Sequence, residues 1–142
     1  AENGADRALL AAFDQREVVE LEGAREQLTI FDTLPEKEQR DLLNAVLEES
    51  QQYDGEIAPL AEAWLAGDTE RLIALTRRGI LADPELAQAL LHDRNADWAL
   101  QVENLLSARE KPLIAVGTGH LIGERGLPAL LEQRGYRVRR VE

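Results

Sequence analysis

Cysteine is absent from this chain. That excludes disulfides and thiolate metal sites, and it leaves the redox compartment open. Histidine is nearly absent: His92 and His120 are the only two, so imidazole chemistry, whether metal ligation or proton transfer near neutral pH, has no other source. Basic residues are in the minority, 16 Lys and Arg against 27 Asp and Glu, for a net charge of −11. Such a balance argues against a nucleic-acid backbone or an anionic membrane as the main partner, since affinity for either comes from clustered Lys and Arg. The one basic cluster, residues 134–140, is too short to reverse it. No signal peptide and no apolar run of membrane-spanning length occurs, and the first residue is Ala rather than Met. The chain therefore reads as a processed or truncated piece, with partners for its strands expected upstream.

What is present suffices for a folded domain. With 142 residues, 44% of them hydrophobic, the chain is one domain's worth and can bury roughly two thirds of the surface its unfolded form exposes. Residues 111–120, KPLIAVGTGH, organise the reading. Leu113, Ile114, Ala115 and Val116 form an apolar run bounded by Pro112 and Gly117, which predicts a strand covered on both faces. In open sheets of that kind, ligands gather outside the carboxyl ends of the strands. His120 stands at such an end.

Two more strands are expected. Residues 17–22, EVVELE, alternate, with Val19 and Leu21 sharing one face with Glu17 and with Val18, Glu20 and Glu22 on the other. Residues 136–141 alternate again after a helix over 123–134 that carries Leu127, Leu130 and Leu131 and ends at Gly135. Strand, helix and strand in about thirty residues predict a right-handed βαβ unit with parallel strands.

Everything else has helical spacing. A short helix is expected over 5–15, and residues 23–107 read as a long helical insertion. Thr33 to Glu36 has the form of a capping box, predicting a helix from about 34 to 52 with a stripe of Leu42, Leu43, Val46 and Leu47. Gly55 and Pro59 are expected to interrupt before the pattern resumes through Trp64. Gly67-Asp68 closes one helix and caps the next, and Asp83-Pro84 is an N-cap followed by Pro at the first helical position. The following helix carries Trp98, Val102, Leu105 and Leu106, and stepping back from Trp98 reaches Arg94 and Asn95 on the core side. An inward Arg needs an acidic or multiply accepting partner.

The fold class expected is therefore α/β: a few-stranded, mostly parallel sheet with a large helical insertion, helix-rich overall. One partial domain spans 1–142, with the insertion at about 23–107 and a strand–helix–strand unit at about 111–142.

Each candidate residue has an ordinary reading beside a functional one. His120 is either a hydrogen-bonding or exposed loop residue, or an imidazole that ligates a metal or moves a proton, with Gly117 and Gly119 allowing close approach. Ile122 stands where a dinucleotide fingerprint needs its third Gly, which removes that reading. Glu22 is either part of an exposed strand face or a carboxylate converging on His120. Arg94 is either Glu22's salt-bridge partner or an anchor for a substrate carboxylate or phosphate. His92, beside Asp93-Arg94 at a helix junction, reads as solvent-facing.

Three segments together, LEGAREQLTIFDTLP (21–35), LLHDRNADWALQVENLL (90–106) and IAVGTGHLIGERGLPALLEQRGYRVRRV (114–141), resemble the carboxyl half of TraB/GumN-family proteins. That family belongs with the Tiki metalloproteases in a wider group that includes erythromycin-esterase-like and ChaN-like proteins. Gly117 and His120 match the second of the family's two G-x-x-H motifs, Glu22 and Gln27 match its LE-x-x-x-x-Q segment, and Arg94 and Asn95 match its RN pair. The first G-x-x-H motif is absent. The resemblance thus implies part of a metal-dependent hydrolase or peptidase that supplies half of an active site and is inactive alone. His120, Glu22, Arg94 and Asn95 would be its catalytic residues, and His120 and Glu22 its ligands to a divalent metal such as Mn, Co or Zn. The implied partner is the missing N-terminal half of the same fold, with a peptide or small-molecule substrate. Unpaired strands could alternatively join two copies as a homodimer. The family also implies a periplasmic or cell-surface location. The rival from another class is a non-catalytic binding or regulatory protein in which the same polar cluster is structural.

Overall fold

Helical periodicity dominates the sequence, and in the computed structural model, which describes residues 5–108 and 111–141, it governs nearly all of the regular structure. The helices are α1 (Ala5–Ala12), α2 (Ala24–Thr33), α3 (Glu36–Leu65), α4 (Thr69–Thr76), α5 (Pro84–Ala87), α6 (Asp93–Ser107) and α7 (Leu127–Gln133). Short 3-10 turns occupy Gly79–Ala82 and Thr118–His120. A π-helical turn, Gln88–His92, joins α5 to α6.

No strand occurs among the described residues, and this corrects the expected α/β fold. A strand exists through its ladder, and none of the three candidate segments finds a neighbouring backbone to pair with. Residues 112–117 keep the period of two that an apolar strand would have. Ile114 and Val116 turn inward, and Leu113 and Ala115 face solvent. Val116 packs against the core, so its segment satisfies burial without pairing. Residues 17–20 are exposed throughout, with Val18 and Val19 both uncovered. The predicted βαβ unit is α7 flanked by two irregular segments.

Local signals account for the starts of α4 and α5. Asp68 accepts from the Arg71 amide at 2.9 Å after Gly67 takes φ +63°. Asp83 accepts from the amides of Glu85 at 2.9 Å and Leu86 at 3.0 Å, with Pro84 in the first turn. The capping box does not form. Thr33 closes α2 instead, its hydroxyl donating to the Thr29 carbonyl at 2.8 Å, and α3 opens after Pro35. Helix α3 also runs on through Gly55 and Pro59 as one 30-residue helix rather than breaking there.

Two groups of buried side chains hold these elements. Leu34, Ala63, Leu72 and Leu86 are buried where α3 meets α4, α5 and the intervening turn. Trp98, Ala99 and Leu127 form the second core between α6 and α7, with Leu21, Val116 and Leu130 packed around it. Of the predicted α3 stripe, Leu42 is half-buried, whereas Leu43, Val46 and Leu47 are exposed.

The π turn decides what α6 presents to this core. At about 100° per residue, Leu86 and Asn95 would lie on roughly opposite faces of one continuous helix. The wider turn between them adjusts the phase, and both are buried, at 1% exposure each.

Candidate functional site

Four elements converge at the amino end of α6. The helix supplies Arg94, Asn95 and Trp98, with Trp98 one turn beyond Arg94. The bend before α2 supplies Glu22, the 3-10 turn supplies His120, and the loop before α7 supplies the main chain of Arg125. All four residues singled out from the sequence belong to this one neighbourhood.

Arg94 and Glu22 form a tight pair, both largely buried at 16% and 12% side-chain exposure. Nη2 donates to Glu22 Oε2 at 2.6 Å, and Nε donates to Oε2 at 3.0 Å and Oε1 at 3.2 Å. Nη1 donates to the Leu90 carbonyl at 2.9 Å, so every guanidinium nitrogen is used. The guanidinium carbon also lies 4.8 Å from the Trp98 ring centroid, a cation–π contact. Gln101, two turns further along α6, donates to the Leu21 carbonyl at 2.8 Å. Two α6 side chains therefore fix the bend that carries Glu22.

The second half of the cluster is a relay of defined polarity. The Arg125 carbonyl can only accept, so the Asn95 group 2.8 Å from it is the Nδ2 donor. Asn95 Oδ1 then faces His120 Nδ1 at 2.6 Å. An amide oxygen can only accept, so Nδ1 carries the proton and Nε2 keeps its lone pair. The relay depends on a close backbone approach: a Cβ on Gly126 would stand 2.7 Å from the Ile122 carbonyl oxygen.

The His120 ring stacks at a tilt on Trp98, with centroids 4.5 Å apart and planes 36° apart. Its pKa falls from 6.5 to about 4, chiefly because burial disfavours the imidazolium, and secondly because the Arg94 charge opposes it. Glu22 acts in the other direction and is outweighed. At neutral pH the site thus holds a neutral, oriented imidazole with an unprotonated Nε2.

Two features escaped the reading of the sequence. Trp98, taken there for part of the apolar stripe, contacts both Arg94 and His120; its position four residues after the inward Arg was the available signal. His92 is not solvent-facing. It lines a cavity, with Nδ1 shut off from solvent and without a hydrogen-bond partner.

A helical scaffold thus presents a histidine-centred polar cluster built from separate segments of the chain. The TraB/PrgY/gumN family model matches residues 1–140, and the chain belongs to that family. No curated protein and no solved structure matches it.

Proposed function

We propose that this chain supplies one part of a hydrolytic centre in which His120 Nε2 accepts a proton from an attacking water. The supporting observation is the run from the Arg125 carbonyl through Asn95 to His120, which leaves Nε2 as the basic atom of a neutral ring. A base must be unprotonated and within reach of the proton it removes. His120 meets the first condition across the neutral range. Asn95 is then a positioning residue, and Arg94, held by Glu22 and the Leu90 carbonyl, sets the local field. The substrate class is a peptide or a small amide or ester.

The residues present do not by themselves fit a divalent metal. Both Glu22 oxygens accept from Arg94, whose cation competes with a metal for that carboxylate, and His120 Nε2 is the single imidazole donor of the cluster. Among the described residues no three His, Cys, Asp or Glu side chains converge. A metal at His120 would need donors from another segment, such as the amino half implied by the family.

A second reading is favoured by the mutual pairing of Glu22 with Arg94 and of Asn95 with His120 and the Arg125 carbonyl. Internal satisfaction is what a purely structural cluster in a binding or regulatory protein would show. Hydrolysis of peptide and p-nitrophenyl ester substrates by the parent protein separates the two. The catalytic reading expects His120→Ala to lower kcat/KM at least about 100-fold while the fold persists by circular dichroism. Unchanged hydrolysis in a folded variant would overturn that reading in favour of the structural one.

A further inference from the structure

A cavity of about 140 Å³ opens between α4, the π turn and the loop after His120. It touches the His120 cluster through Asn95 and Gly119, and its described lining includes none of Glu22, Arg94, Trp98 or His120. Ile73, Leu91 and Ile122 give it an apolar wall, and Arg77, His92 and Arg125 bring nitrogen groups to it. Glu124 is the one carboxylate among the described lining residues. In a chain of net charge −11, two guanidiniums and one carboxylate line this cavity, with the imidazole neutral.

The cationic groups have not been spent on one another's neighbours. Among the described residues neither Arg77 nor Arg125 belongs to an ion pair, and both are exposed at the rim. Arg125 is aimed by one hydrogen bond, Nη1 donating to Gln88 Oε1 at 2.8 Å. Both guanidinium charges disfavour a proton on the His92 ring, and Asp93 opposes them. The buried Nδ1 of that ring lacks a partner, and a buried polar atom left unpaired is an exception that calls for one.

We propose that this cavity binds a small molecule with an anionic head, carboxylate or phosphate, on a compact apolar body. Arg77 and Arg125 hold the head through charge-assisted hydrogen bonds. Ile73, Leu91 and Ile122 cover the body, which is about the size of one ring, since an apolar void of about 150 Å³ accommodates benzene. The His92 ring forms part of the wall between them. The site stands whether or not His120 acts chemically.

Calorimetric titration of the full chain at fixed ionic strength with benzoate, phenyl phosphate and the neutral benzyl alcohol tests this. Expected is saturable binding of one or both anions, with Kd of about 1 mM or tighter, and no saturable binding of benzyl alcohol. Arg77→Gln and Arg125→Gln should each weaken anion binding about tenfold, at an unchanged melting temperature for the exposed and unpaired Arg77. The proposal fails if neither anion binds, if benzyl alcohol binds as tightly as benzoate, or if both variants retain wild-type affinity. Saturation by benzoate but not phenyl phosphate, or the reverse, identifies the head group and supports the site.

Discussion

Replacing Asn95 by Asp exchanges one nitrogen for one oxygen in a side chain that is 1% exposed. The new carboxylate would lie where Oδ1 now stands, 2.6 Å from His120 Nδ1. A charge pair about 4 Å apart at an effective dielectric of about 20 is worth about 4 kcal/mol, or about three pKa units. Desolvation of the new carboxylate offsets part of this. His120 is therefore expected to move from about 4 up to between about 6 and 7. The other oxygen would face the Arg125 carbonyl, where a donor stood before, at a cost of about 1–3 kcal/mol. An NMR titration of the imidazole C–H resonances reads the first effect, with His92→Gln supplying the assignment in a chain of two histidines. Ring nitrogen shifts of the wild-type protein report the tautomer. A His120 that still titrates near its wild-type value in the Asn95→Asp variant, or a wild-type ring protonated at Nε2 instead of Nδ1, would refute the relay.

The remaining expectations concern stability. Because folding depresses the His120 pKa from 6.5 to about 4, its contribution is fully present above about pH 6.5 and is lost as pH falls toward about 4. The lowered His92 pKa, caused mainly by burial and by Arg125, has the same sign. For His120 the loss is at most about 3 kcal/mol, reduced to about 2 by partial solvent access; urea midpoints at pH 7 and pH 4.5 measure it against His120→Gln, which should flatten the slope. Arg94→Ala strands Glu22 in a nearly dry site and should cost about 3 kcal/mol, a fall in Tm of about 6–12 °C for a chain of this size. In a double-mutant cycle Glu22→Gln should then add much less to Arg94→Ala than it costs alone. Gly126→Ala forces a methyl against the Ile122 carbonyl and should cost about 1–3 kcal/mol by denaturant melt.

Much of the site was legible because its members are chemically unusual where they stand. Arg94 falls on the inward stripe of α6 by simple helical arithmetic, which already demands a partner, and that partner is Glu22. Asp68 and Asp83 announce their helix starts because a cap is a short-range device, satisfied by amides within three residues. Thr33 had the same letters and the opposite outcome: its hydroxyl found a carbonyl in the preceding turn of α2, which satisfied it equally well. Local polar groups choose between local partners, and the spacing alone does not say which.

The unbroken apolar run of residues 113–116 predicted cover on both faces, and the structure covers one: Ile114 and Val116 are half-buried, whereas Leu113 and Ala115 are exposed. Whether a second backbone runs beside that segment depends on residues far away in the chain, and here none does among those described. The π turn has the same character. It shifts the phase of α6 relative to α5 through one wider turn; Leu86 before it and Asn95 after it are both buried, and His92 within it lines a cavity. By itself the sequence determined where most of the helices lie, the caps at Asp68 and Asp83 and the identity of the polar side chains, because each rests on contacts within about four residues. Tertiary structure alone decided the absence of a sheet among the described residues, the tautomer of His120 and the cavity with its arginines, because each depends on groups brought together from separate segments.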